Sequence, residues 1–139
     1  MRFLDSSVIL HAFLRPRRRI PPPVQRLKDR CKQILKRVEE GEPVVTTIVH
    51  LAEIANILEA HTGLQQALCF LSSMFAADNI RIEGVDSRTA ALAVSVAQRY
   101  GVSYSDAVAY LIMAQRGIKE VYSTDKHFDN LPGVRRILE

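Results

Sequence analysis

Along this chain the spacing of apolar positions switches repeatedly between strand-like and helical periods. Arg2-Phe3-Leu4-Asp5 is a short apolar run that ends in a carboxylate, and residues 8–14 continue it as a short helix or turn. From Val24 the apolar residues fall at 24, 27, 31, 34, 35 and 38, one face of a helix that Gly41 stops. Val44-Val45-Thr46 is β-branched and predicts a buried strand over 42–46. Thr47 caps a helix to about Ala60, with Leu51, Ile54, Ala55 and Leu58 on its apolar side. Apolar positions 64, 67, 68, 71, 74 and 75 predict a helix over 64–78. Residues 80–85 alternate like a partly exposed strand, and Asp86 or Ser87 opens an Ala- and Val-rich helix that ends at Gly101.

The C-terminal stretch repeats the unit. Ser103 or Ser105 caps a helix with Asp106 in its first turn, where the helix dipole favours an anion. Ala107, Tyr110, Leu111 and Ala114 form its expected buried stripe, and Gly117 stops it. Residues 120–123 read as a strand with Asp125 just past its end, and 134–138 as a last edge strand. The order β-α-α-β-α-α-β-α-α-β, with a short fifth strand, predicts one α/β domain: a parallel sheet with helices on both faces. Ligands of such sheets bind outside the carboxyl ends of the strands.

Composition narrows the class. With 139 residues and 47% hydrophobic content, one domain with a real core is expected over 1–139. No apolar run approaches the ~20 residues of a membrane span, and Met1 leads so directly into a strand that no signal peptide is expected. Cys31 and Cys69 fit no metal spacing, and each lies on an apolar stripe. Buried free thiols in a reducing cytoplasm are the expectation, with a Cys31–Cys69 disulfide as the alternative.

The net charge of +4 is unevenly spread. Residues 15–37 carry ten Lys/Arg against one Asp, while the rest of the chain has nine basic and fourteen acidic residues. A basic arm on an acidic body suits a polyanionic partner with a metal-dependent site elsewhere. The arm begins with Arg15-Pro-Arg-Arg-Arg-Ile-Pro-Pro-Pro23, an insertion at about 15–23 whose prolines predict an extended loop.

Four acids fall at related places. Asp5 ends the first strand, Glu53 lies close to the buried side of its helix, Asp106 opens a helix and Asp125 follows a strand. Ser6 and Ser7 can hold a carboxylate. Each acid has a structural alternative, capping a helix start or reaching solvent from a stripe edge. If the four converge, they need a counter-charge. Oxygen-only ligation suits Mg²⁺ or Mn²⁺, and two such ions about 4 Å apart activate water against a phosphodiester. The chain has no Walker loop, no Gly-x-Ser-x-Gly and no His-Glu-x-x-His. His11, His50, His61 and His127 share no ligand spacing, and only His127 lies in an acidic turn.

Phe3-Leu-Asp5-Ser-Ser-Val-Ile, His50-Leu-Ala-Glu-Ile-Ala-Asn56, Ser105-Asp-Ala-Val-Ala-Tyr110 and Ser123-Thr-Asp-Lys-His-Phe128 resemble the four motifs of the PIN domain, most closely VapC-type toxins and their archaeal relatives. The resemblance implies a three-layer α/β/α sandwich with a mostly parallel sheet of four to five strands. It implies a divalent-metal ribonuclease, with Mg²⁺ or Mn²⁺ as cofactor and single-stranded RNA as substrate. Asp5, Glu53, Asp106 and Asp125 occupy the acidic positions, with Asp129 as a fifth candidate. Ser7 and Ser123 are supporting residues. The implied partners are a small antitoxin protein and a second copy of the chain. Arg15, Arg17, Arg18 and Arg19 are candidate RNA contacts. A non-catalytic module of the same family, binding RNA or protein, and a housekeeping RNA-processing nuclease are the alternatives.

Overall fold

A computed structural model describes residues 1–138. The elements, in chain order, are β1 (Arg2–Leu4), α1 (Ser6–Phe13), α2 (Pro22–Glu39), β2 (Val44–Thr47), α3 (Ile48–Thr62) and α4 (Leu64–Ala76). Then come β3 (Ile80–Glu83), α5 (Ser87–Tyr100), α6 (Tyr104–Arg116), β4 (Glu120–Tyr122), a 3₁₀ turn (Lys126–Asn130) and β5 (Arg135–Ile137). The five strands form one sheet in the order β3-β2-β1-β4-β5, and every pairing is parallel. The expected fifth strand is present, so the sheet is wholly parallel.

Successive strand residues point to opposite faces, and this splits the core in two. Leu4, Val44 and Tyr122 pack with α1, α2, α3 and α4 on one face. Phe3, Val45 and Val121 pack with α5 and α6 on the other. The result is the expected three-layer sandwich. The two prolines at the head of α2 mark a difference from the sequence reading, which left them in the loop. Pro22 and Pro23 are the first helical residues, where the missing N–H would have no intrahelical acceptor. The ammonium of Lys28 on α2 donates to the carbonyls of His11 and Leu14, closing the carboxyl end of α1.

Two buried stripes differ in phase from the pattern. On α4 the covered residues are Ala67 and Met74, with Phe70 and Leu71 partly buried beside them. Leu64, Leu68 and Phe75 are 55%, 49% and 60% exposed. Cys69 is also exposed, so the expectation of two buried thiols holds only for Cys31. Both are free, and burial pushes the Cys31 thiol up to about 11, which keeps it protonated and inert. On α6 the buried residues are Ala107, Val108, Ala109, Ile112 and Met113, while Ala114 is exposed. That helix is covered by both the sheet and α5, so its buried arc is wider than a single stripe and rotated from it.

The chain lays down β1, β2 and β3 moving one way across the sheet, then returns to place β4 on the far side of β1. The strand order therefore reverses between β1 and β4, and the crevice beyond the carboxyl ends of these two strands is where such sheets bind ligands. Asp5 follows β1 directly, and Ser123 follows β4.

Candidate active site

Strand pairing carries the two loops together. The Asp5 N–H donates to the Tyr122 carbonyl at 3.0 Å, extending the β1–β4 ladder by one residue. The Asp5 side chain then caps α1, its Oδ2 accepting from the Ser7 backbone N–H at 3.4 Å. The same oxygen accepts hydroxyl bonds from Ser7 and Ser123, each 2.7 Å. Those hydroxyls accept in turn from the backbone N–H groups of Thr124 and Asp125, each at 3.0 Å. Asp5 is thus both a helix cap and the anchor between two loops. Its other oxygen, Oδ1, is buried with no hydrogen-bond partner among the described residues.

Ser103, not Ser105, caps α6, accepting from the Asp106 N–H at 3.1 Å. This sets Asp106 in the first turn with only 3% exposure, and its Oδ2 has no hydrogen-bond partner among the described residues. Burial, then the nearby charges of Asp5 and Asp125, push its carboxyl up to about 7. Burial also works against ionisation of Asp125, but there it is outweighed. The His127 N–H at 2.9 Å and ring Nδ1 at 2.7 Å both meet Asp125 Oδ1 and hold that carboxyl below the usual range. Asp106 and Asp125 also meet through a side-chain hydrogen bond, and their carboxyls are pushed in opposite directions.

Glu53 is half-buried one and a half turns into α3. Its Oε1 accepts from the Ser6 hydroxyl and its Oε2 from the Ser105 hydroxyl, the latter at 2.8 Å. The acid therefore bridges the first turns of α1 and α6 rather than reaching solvent. Asp129 stands apart: both its oxygens face the Arg136 guanidinium, at 3.2 and 3.4 Å. Arg15, Arg17, Arg18 and Arg19 are all exposed on the loop between α1 and α2. Three polar contacts here escaped the sequence reading. Ser6 and Ser105 bond Glu53, and His50 is wholly buried beside Asp5. A signal for His50 existed, since it lies four residues before Ile54 and so on the buried side of α3.

The donor set fits a hard divalent cation. Two buried carboxylate oxygens, Asp5 Oδ1 and Asp106 Oδ2, lack a donor among the described residues, and such groups cost about 1–3 kcal/mol each when left unbonded. Ligand atoms of Asp106, Asp125 and His127 lie within 4.8 Å of one another. Carboxylate oxygens with at most one imidazole suit Mg²⁺ or Mn²⁺.

A PIN-domain family model matches residues 2–134, spanning all four acids. The chain belongs to the PIN-domain family. No curated protein matches it in sequence. Among solved PIN-like folds, VapC20 from Mycobacterium tuberculosis, described as a sarcin–ricin-loop-cleaving toxin, superposes with a TM-score of 0.68 at 19% identity, covering 90% of each chain. A toxin–antitoxin complex from Klebsiella pneumoniae gives 0.64 at 18% identity over 97% of this chain and 96% of the other. PAE2754 from Pyrobaculum aerophilum gives 0.59 at 15% identity over 97% and 87%. At these identities the likeness is one of fold, and it extends over the whole sandwich.

The raised Asp106 carboxyl makes a signed prediction. Its folded pKa, about 7, lies above the unfolded value of 3.8. Between those values the folded state holds a proton that the unfolded chain has released, so stability falls as pH rises from about 4 to about 7. Asp106→Asn removes that loss but also a favourable dipole contact of about 0.3–1 kcal/mol. A pKa displacement this large outweighs the dipole, at about 1.4 kcal/mol per unit. Thermal unfolding in EDTA should therefore show the variant melting higher than wild type at pH 8, with little gain at pH 4. A lower melting temperature at pH 8 would reduce Asp106 to a helix-start acid.

Proposed function

We propose that this PIN domain is a divalent-metal-dependent endoribonuclease that cleaves single-stranded RNA, the toxin of a toxin–antitoxin pair. The observation that carries this reading is the pair of buried, unbonded carboxylate oxygens on Asp5 and Asp106, with the charges of Asp5 and Asp125 both acting on Asp106. Asp5, Asp106 and Asp125 would hold the cation, with Glu53 behind them as an acid that also orders the helix starts. When bound, the cation supplies Lewis-acid stabilisation of charge developing on a phosphodiester and activation of water. Ser7 and Ser123 keep Asp5 from rotating, so the carboxylate is pre-aimed rather than recruited. The described cleavage of an RNA loop by the M. tuberculosis neighbour, and the antitoxin bound in the K. pneumoniae one, support the substrate and partner classes. No helix among the described residues is long and apolar enough to cross a membrane.

RNA cleavage should require Mg²⁺ or Mn²⁺, vanish in excess EDTA, and vanish in Asp5→Asn and Asp125→Asn. A gel assay on single-stranded RNA that shows undiminished cutting under any of these conditions sinks the reading. Binding without cleavage by the wild type would favour a non-catalytic module.

Arg15, Arg17, Arg18 and Arg19 contribute phosphate contacts on this reading, since all four are exposed on one loop. Replacing all four with Ala should flatten the dependence of log K on log salt, by roughly 0.7 per lost contact with single strands. An unchanged slope would leave them as a solvated surface.

The chain pairs with a second copy, on the strength of the apolar residues that α4 leaves uncovered at Leu64, Leu68 and Phe75. Light scattering should return twice the 15.7 kDa chain mass, and Phe75→Glu should return the monomer. A wild-type monomer at high concentration would refute pairing.

A further inference from the structure

One fully buried side chain has no place in the chemistry so far. His50 sits in the first turn of α3, three residues before Glu53, and is 0% exposed. Its ring meets the edge of Phe3, with centroids 5.0 Å apart, so it packs against the strand that delivers Asp5. A filler of the core would be apolar here. A buried imidazole with a bare nitrogen is costly unless that nitrogen serves a partner.

We propose that His50 is a positioning residue for Asp5: Thr47 fixes its tautomer, and its Nε2–H faces Asp5 Oδ1 and keeps that oxygen aimed at a bound cation. This rests on the metal-site reading above and names a residue that tunes it.

The tautomer is assigned from the hydrogen bonds. Thr47 Oγ1 accepts from the His50 backbone N–H at 3.2 Å, as the cap of α3. It also lies 2.7 Å from His50 Nδ1. The hydroxyl can still accept or donate, and its proton is assigned to Nδ1, which then has none of its own. A neutral ring with bare Nδ1 carries its one proton on Nε2.

Nε2 and Asp5 Oδ1 are both buried, and neither makes a hydrogen bond of good geometry among the described residues, the Ser105 backbone being the other acceptor the ring meets. They face each other at 3.7 Å. That is longer than a hydrogen bond, so the contact is a dipole on a charge. In a site closed to water such a contact is felt strongly. Asp5 Oδ2 is already bound by Ser7 and Ser123, so rotation about the Cβ–Cγ bond would break both bonds. The imidazole then acts on the one oxygen left to meet a cation. The logic is the familiar carboxylate–histidine–metal arrangement with its order reversed, the histidine outside and the carboxylate inside.

The full chain is titrated with Mn²⁺ by calorimetry, and the bound ion is followed by electron paramagnetic resonance. Wild type is compared with His50→Leu, which keeps bulk and removes the donor, and with His50→Gln, whose amide N–H restores one near Nε2. Unfolding in EDTA reports stability separately. His50→Leu should weaken Mn²⁺ binding about 10-fold or more, and His50→Gln should recover most of that loss. If His50→Leu does not fold, Thr47→Val carries the test by freeing the tautomer, and it should weaken Mn²⁺ in the same direction. Equal affinity in wild type and His50→Leu overturns the proposal, as does an equal loss in the Leu and Gln variants, which would make the ring a matter of shape. A wild type that binds no Mn²⁺ is a different failure, because it removes the metal site itself.

Discussion

The hydroxyl of Ser123 donating to Asp5 Oδ2 at 2.7 Å joins residues 118 positions apart, and the site depends on that join. It is possible only because β4 is inserted next to β1 rather than added at the edge of the sheet. Parallel pairing brings both carboxyl ends to the same side, and the crossover places them as immediate neighbours. Ser7 completes the clamp from the first turn of α1. Holding one oxygen of Asp5 leaves the other with a single orientation, which is what a cation site needs from a short side chain.

The same closeness has an electrostatic consequence. Asp106 is driven towards neutrality by burial and by two neighbouring carboxylates, while Asp125 is held ionised by His127. Two acids in one crevice are thus pushed to opposite protonation states, a pattern that marks functional sites more often than structural ones. Phe3, Val45, Val121 and Phe128 are all wholly buried in the core cluster that α6 shares.

Glu53 shows how a carboxylate beside an apolar stripe is accommodated. Its two oxygens take the hydroxyls of Ser6 and Ser105, so the first turns of α1 and α6 are tied to α3 at the rim of the crevice. A carboxylate close to an apolar stripe is tolerable when both oxygens are bonded. The structural role of each acid as a cap or tie and its role as a candidate ligand are compatible, because a carboxylate has two oxygens to offer.

Much of this was legible in the chain itself. Strand and helix alternation, the cap at Thr47, the alternatives Asp86 or Ser87 and Ser103 or Ser105 for two further caps, and the glycine stops follow from local periodicity and backbone preference, which neighbours in sequence decide. Asp5 and Asp125 after strands, Asp106 at a helix start and Glu53 beside an apolar stripe were legible as candidates for the same reason. Tertiary structure decided the rest. The phase of the buried faces on α4 and α6 depends on which layers cover them, and periodicity measures phase only about a helix's own axis. Asp129 looks like a fifth ligand in the sequence, but Arg136 from β5 takes both its oxygens. Ser6 and Ser105 are ordinary helix-start serines until α3 brings Glu53 between them. His50 reads as one histidine among four until the fold seals it against Asp5. A hydrogen bond or a buried charge is a property of a pair in space, and no single stretch of the chain contains both members.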